Sequence, residues 1–305
     1  MKDIKTGDDG GMGMIKEQNL LEQTLAIAEN GYAEAYRFLV QEYEKDPASY
    51  GSQTLYFLAC LAGGARLPDR ALEWIQRAVS ENGWWYRPEV LEDDDLAALR
   101  DDATFVALKA ASDARYRDAC AKAKSVFSWT DKKAGNLLIA VHGNTQNGRI
   151  AREDWQPFLE THPDWQLETV QSAEPDGYGT FRWSYDENAC APVAKAIEFA
   201  QTQGYRKLVC GGFSAGCDML LRAVAFTSAD CDALILQSPW IPVLEGHVDA
   251  VLRVIRTKGI ALDIRCGSAD EDCLPLAKQL HEAASAAGIE STIAIQPGCR
   301  HQFPE

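Results

Sequence analysis

Lys207-Leu208-Val209-Cys210-Gly211-Gly212-Phe213-Ser214-Ala215-Gly216-Cys217 decides how the second half of this chain folds. Leu208-Val209-Cys210 is a short apolar run of strand character, and residues 217–226 have the composition of a helix. Between them stands Gly212-Phe213-Ser214-Ala215-Gly216, a Gly-x-Ser-x-Gly pattern. Alone, the pattern is common by chance; between a strand and a helix it is far more specific. A serine at such a turn has a strained backbone and needs small neighbours, which Gly212, Ala215 and Gly216 supply. The turn lifts the Ser214 hydroxyl above the sheet edge. The helix that follows offers its positive N-terminal end to any negative charge that develops nearby. Ser214 is therefore the candidate nucleophile, and the competing reading is a glycine-rich turn of purely structural kind.

Further short apolar runs flank this segment at 137–141, 166–170, 233–237, 261–266 and 291–295, and with 207–210 they make six strands. Helix-length stretches such as 191–203 and 274–287 separate most of them, so the pattern predicts βαβ units and a mostly parallel, doubly wound sheet. Near-continuous apolar strands imply burial on both faces.

A serine nucleophile needs a base, and the chain has five histidines. His301, in Gly298-Cys299-Arg300-His301, follows the last strand at the carboxyl edge, where such sheets hold ligands. His281 falls mid-helix and His162 precedes Pro163 in a loop, so both read as surface residues; His247 is at most a substrate contact. The acid that orients the base belongs between serine and histidine in chain order. Cys266-Gly267-Ser268-Ala269-Asp270 sets Asp270 in a short turn off a strand, with Asp272 as its rival. In His142-Gly143-Asn144, after the first parallel strand, the backbone N–H of Asn144 pairs with that of Ala215 as a candidate oxyanion hole, and His142 anchors the loop. Phe181, Trp183, Trp240 and Ile241 are candidates to line an apolar acyl pocket, with core or surface packing as the competing and more common use of any one of them. The interval between the strands at 233–237 and 261–266 holds one helix and no large lid, which favours a soluble acyl substrate over a lipid droplet.

The first half has a different period. From about residue 18 to 124 apolar residues recur at helical spacing: Leu20, Leu21, Leu25, Ile27 and Ala28, then Phe38, Leu39 and Tyr43, then Leu55, Phe57, Leu58, Cys60 and Leu61. Pro68 and Asp69 start a fourth helix carrying Ala71, Leu72, Ile75, Ala78 and Val79, and Gly83 punctuates its end. Shorter helices are expected over 95–99 and 104–116. The spacing of Ala71, Ile75 and Ala78 resembles the second helix of a tetratricopeptide (TPR) repeat, and a small helical bundle packed on the next domain is the other reading. Trp84, Trp85 and Tyr86 are candidates to join the two halves. The expected organisation is a disordered lead-in over 1–15, a helical TPR-like domain over 16–124 and an α/β domain over 125–305.

Net charge is −15, which argues against nucleic acid or an anionic membrane as partner. No stretch approaches the roughly 20 apolar residues that span a bilayer. Lys2 and Lys5 lead into Asp8, Asp9, Gly10 and Gly11 rather than an apolar run, so no secretory signal is expected. Nine scattered cysteines without a CxxC pair fit reduced thiols and a cytoplasmic setting, not a disulfide framework or a zinc site.

With these motifs in hand, residues 135–305 resemble the α/β-hydrolase superfamily: His142-Gly143 after the first strand, Gly212–Gly216 at the turn, Gly267-Ser268-Ala269-Asp270 after a later strand, and Gly298-Cys299-Arg300-His301 at the end. The ending, through Gln302-Phe303-Pro304, is similar to that of dienelactone-hydrolase-like and prolyl-oligopeptidase-like members. The stretch 125–134 is too short for the antiparallel pair that opens larger versions of that fold. The resemblance implies a Ser214–Asp270–His301 triad that hydrolyses an ester, thioester or amide through an acyl-enzyme, with no metal or organic cofactor. The substrate expected is a small acyl compound or short peptide, and the helical half could add a protein partner. It does not extend to residues 1–124. The alternative from another class is a helical-repeat binding module on a catalytically silent hydrolase scaffold.

Overall fold

The computed structural model describes residues 16–131, 134–186 and 188–303, so the lead-in over 1–15 and Pro304 lie outside the described residues. Helical spacing in the first half gives α1 (Glu17–Ala28), α2 (Tyr32–Lys45), α3 (Ser52–Gly64) and α4 (Pro68–Gln76). Consecutive helices pack on one another through the periodic positions, with Leu20, Leu39, Leu55, Leu58, Ala71, Ile75 and Ala78 removed from solvent. Pro68 opens α4, where its missing N–H costs nothing. The short helix expected over 95–99 is a 3-10 turn, Asp94–Leu99, and the one at 104–116 is longer, α5 (Ala103–Lys122). Asp102 caps α5 by accepting from the N–H groups of Thr104 and Phe105.

The second half holds β1 (Val126–Phe127), β2 (Asn136–Val141), α6 (Gly148–Thr161), β3 (Trp165–Gln171), β4 (Glu174–Gly177), β5 (Thr180–Arg182) and α7 (Ala191–Gln201). It continues with β6 (Lys207–Phe213), α8 (Ala215–Phe226), β7 (Ala233–Gln237), α9 (Val248–Lys258), β8 (Ala261–Gly267), α10 (Cys273–Ala286) and β9 (Ser291–Gln296). The sheet runs in the order β1-β3-β2-β6-β7-β8-β9, parallel throughout except at β1, which pairs antiparallel with β3. The twofold period of a strand divides β2 between two cores. Leu137, Ile139 and Val141 join the core built with α7, α8 and α9, while Leu138 and Ala140 join Trp155 of α6 on the other face.

All six expected strands are present. Two features were not foreseen: β1, whose two residues are too few for a period to register, and the β4–β5 hairpin, where Pro175 and Gly177 break the strand signal. That hairpin is one joint between the halves. The Arg87 N–H donates to the Asp176 carbonyl and the Tyr178 N–H to the Trp85 carbonyl. The Trp84 ring stacks on Tyr178 with centroids 5.9 Å apart, so the 84–86 segment does touch the α/β half. No helix among the described residues is long and apolar enough to cross a membrane.

Candidate active site

At the end of β6 the chain turns into α8 through Ser214, whose φ of 50° and ψ of −122° are unusual for a residue with a side chain. Such strain persists only where the surroundings enforce it. Here a Cβ on Gly216 would lie 2.5 Å from the Val141 carbonyl oxygen, so the turn is pressed against the end of β2. Ser214 Oγ is 2.9 Å from His301 Nε2, and His301 Nδ1 is 2.8 Å from Asp270 Oδ2. Proton bookkeeping then fixes the roles: Nδ1–H donates to the carboxylate, which leaves Nε2 to accept from the serine hydroxyl.

Asp270 is 2 % exposed. Burial alone would raise its carboxyl, but the hydrogen bond and charge of His301, with the Cys273 N–H at 3.1 Å, hold it below its ordinary value. Asp272 is exposed at the start of α10, so Asp270 is the carboxylate that meets the histidine. His162 stacks on Phe158, His247 lies edge-on to Phe226, and His281 bonds Ser291; none of these three reaches Ser214.

The loop after β2 lies directly against the serine: a Cβ on Gly143 would come within 3.2 Å of the Ser214 Cβ and 2.8 Å of the Phe213 ring. The Gly143 N–H is taken by Gln146 Oε1 at 2.8 Å. By contrast, the N–H groups of Asn144 and Ala215 have no acceptor among the described residues. His142 is fully buried behind this loop; Nδ1 donates to the Gly143 carbonyl at 2.6 Å and Nε2 accepts from the Ser172 N–H at 3.1 Å. Burial pushes its pKa down to about 4, which keeps it neutral in this tautomer. The Trp183 indole stacks on it and donates to its carbonyl.

The helical residues 16–120 match the family model described as A/B hydrolase-like, N-terminal domain. An uncharacterized protein from Bacillus cereus ATCC 10987 is similar over 95 % of this chain and 94 % of its own, at 26 % identity and a TM-score of 0.52. The fold is that of the α/β hydrolases. Looser structural likenesses, each at a TM-score under 0.5, include esterase PE8 (16 % identity, TM-score 0.48, 60 % of this chain and 92 % of that one). Another is the Bacillus cereus carboxylesterase (17 % identity, TM-score 0.43, 62 % of this chain and 91 % of that one). No curated protein matches the chain.

In this α/β-hydrolase fold the rim beside Ser214 is aromatic. Tyr185 and Trp240 are 38 % and 39 % exposed; the Tyr185 hydroxyl accepts from Asn144 Nδ2 at 3.3 Å, and the Trp240 backbone N–H donates to the Ser214 carbonyl. The other expected pocket residues sit elsewhere. Trp183 and Ile241 are core residues, and Phe181 lines a separate cavity of about 200 Å³ with Trp85. A larger cavity of about 580 Å³ opens on the helical half beside Phe105, Val106 and Lys109, away from the serine.

Sequence reasoning missed the part played by α1. Gln18 accepts from Gln146 Nε2 at 2.7 Å and donates to the His301 carbonyl at 3.4 Å. Lys16 pairs with Asp154 and Glu29 with Arg300. The helical half is therefore bonded to the loops on both sides of the serine. Asp218 was missed as well: fully buried in α8, it pairs with Arg222 and accepts from the Val243 N–H, which fixes the loop that carries Trp240.

Proposed function

We propose that this protein is a serine hydrolase that cleaves a carboxylic ester, thioester or amide through an acyl-enzyme. The observation that carries the reading is the unbroken hydrogen-bonded line Ser214–His301–Asp270, with two uncommitted backbone N–H groups beside the serine.

His301 Nε2 takes the Ser214 proton as Oγ attacks the carbonyl carbon, and Asp270 steadies the imidazolium. The resulting oxyanion is received by the N–H groups of Ala215 and Asn144; one such donor is worth about a hundredfold or more in rate. The imidazolium then gives its proton to the leaving oxygen, sulfur or nitrogen as that bond breaks. Water, deprotonated by His301, adds to the acyl-serine; the acid is released and Ser214 recovers its proton. The acyl portion faces Tyr185 and Trp240, in keeping with a small apolar acyl group or short peptide. The chain has nine cysteines, seven of them buried, in support of a reducing compartment such as the cytoplasm.

The test is a fluorophosphonate probe applied to the full chain and to Ser214→Ala. Labelling confined to the wild type is expected. If folded wild type stays unlabelled, the protein is instead a binding module on a silent scaffold.

A further inference from the structure

The first helix lays a polar stripe along the loop that carries His301. Gln18, Glu22 and Glu29 stand four and seven positions apart, on one side of α1 and its C-cap. The two ends of the stripe are engaged with the loop: Gln18 with the His301 carbonyl, and Glu29 with Arg300 at 2.6 Å. Glu22 lies between them. Its carboxylate has no hydrogen bond or ion pair among the described residues, and the nearby Arg300 guanidinium is paired with Glu29. Burial raises its carboxyl, opposed first by the charge of His301 and then by that of Arg300.

Chemistry decides what part of a substrate would meet this group. His301 must hand its proton to the leaving atom, so the leaving group lies on the His301 side of Ser214, against α1. The acyl portion lies toward Tyr185 and Trp240. We propose that Glu22 binds a positive charge on the leaving group, so that the preferred substrates are esters, thioesters or amides whose alcohol, thiol or amine portion carries an ammonium. The inference rests on the serine-hydrolase reading and names the substrate class of that same site. A half-buried carboxylate without a partner gains more from a cation than an exposed one, since less of the attraction is screened by water. The net charge of −15 draws cations toward the protein but does not select this position.

The matched pair acetylthiocholine and 3,3-dimethylbutyl thioacetate tests it, since the two have one shape and differ in a quaternary nitrogen against a carbon. Each hydrolysis consumes one water and yields acetate and a thiol, which is read colorimetrically. In the full chain the kcat/KM ratio of cationic to neutral thioester is expected to be about tenfold, as for a modest ion pair. Glu22→Gln should bring the ratio to about one, and Glu22→Asp should retain part of the preference. A ratio taken within one preparation cancels any difference in folded fraction, and a purely structural Glu22 would leave it unmoved. A wild-type ratio near one, or one that survives Glu22→Gln, overturns the proposal, the latter assigning the preference to net charge. Labelling of Ser214 by the fluorophosphonate without turnover of either thioester also overturns it and leaves the hydrolase reading intact. Absence of both labelling and turnover removes the hydrolase reading and the inference with it.

Discussion

The side-chain amide of Gln146 donates to Oε1 of Gln18 at 2.7 Å, while its own Oε1 accepts the N–H of Gly143 at 2.8 Å. One glutamine thus joins the helical half to the loop that touches Ser214. Gln146→Ala leaves the buried Gly143 N–H without an acceptor, a loss of about 1–3 kcal/mol. We expect a lowered urea midpoint and a fall in kcat. Gln18→Ala removes only the outer bond and should cost about 1 kcal/mol or less. Equal effects from the two variants, in denaturation and kinetics together, would contradict this ordering.

His142 supplies a pH test. Its folded pKa of about 4 lies below the ordinary 6.5 because the ring is buried. The unfolded chain therefore takes up the proton first as the solution is acidified. The stability that depends on a neutral His142 is full above pH 6.5 and is lost as pH falls toward about 4, on the order of 3 kcal/mol in all. Urea melts at pH 7, 5.5 and 4 should show this loss in wild type, and His142→Asn should show a shallower one.

Asp270 is expected to act through both rate and stability. Asp270→Asn should lower kcat by about a thousandfold or more, because an amide donates where the imidazole must donate and so favours the wrong tautomer. Its folded value lies below the ordinary 3.8, so its contribution is full above the unfolded value and disappears as pH falls through the folded one. The gap in melting temperature between wild type and Asp270→Asn should be widest near neutrality and close below about pH 3.8. A gap that widens in acid would show that the carboxylate is not stabilising.

Two glycine substitutions should separate stability from activity. Gly216→Ala drives a methyl onto the Val141 carbonyl, which is backbone and cannot move cheaply. A loss of about 1–3 kcal/mol or more is expected from such overpacking. Gly143→Ala meets the Phe213 ring and the Ser214 Cβ, so its effect should fall on the fluorophosphonate labelling rate more than on the thermal midpoint.

Much of the α/β half was legible because its signals are local. Apolar strands such as 137–141 are buried on both faces, and Gly212–Gly216 carries its own turn chemistry within five residues. That Ser214, Asp270 and His301 could come together was legible because each follows a strand end, and the sheet brings strand ends together. The short turn off the strand favoured Asp270 over Asp272 without deciding between them; which one turns inward depends on the start of α10. Trp183 and Ile241 read as pocket residues because an aromatic or branched side chain has the same sequence signature in a pocket as in a core. Gln18 and Gln146 gave no signal at all. They look like ordinary polar residues, and their importance comes from contacts with remote loops.

Those remote contacts predict an order of events in folding. The Gln18–Gln146 and Gln18–His301 bonds join residues 128 and 283 positions apart. Closures of that span carry a large entropic cost and form slowly compared with local helix. After dilution from denaturant, far-UV ellipticity should return first and reaction with fluorophosphonate last. A chain in that interval would have its secondary structure but no working serine, and the interval would be set by the docking of α1.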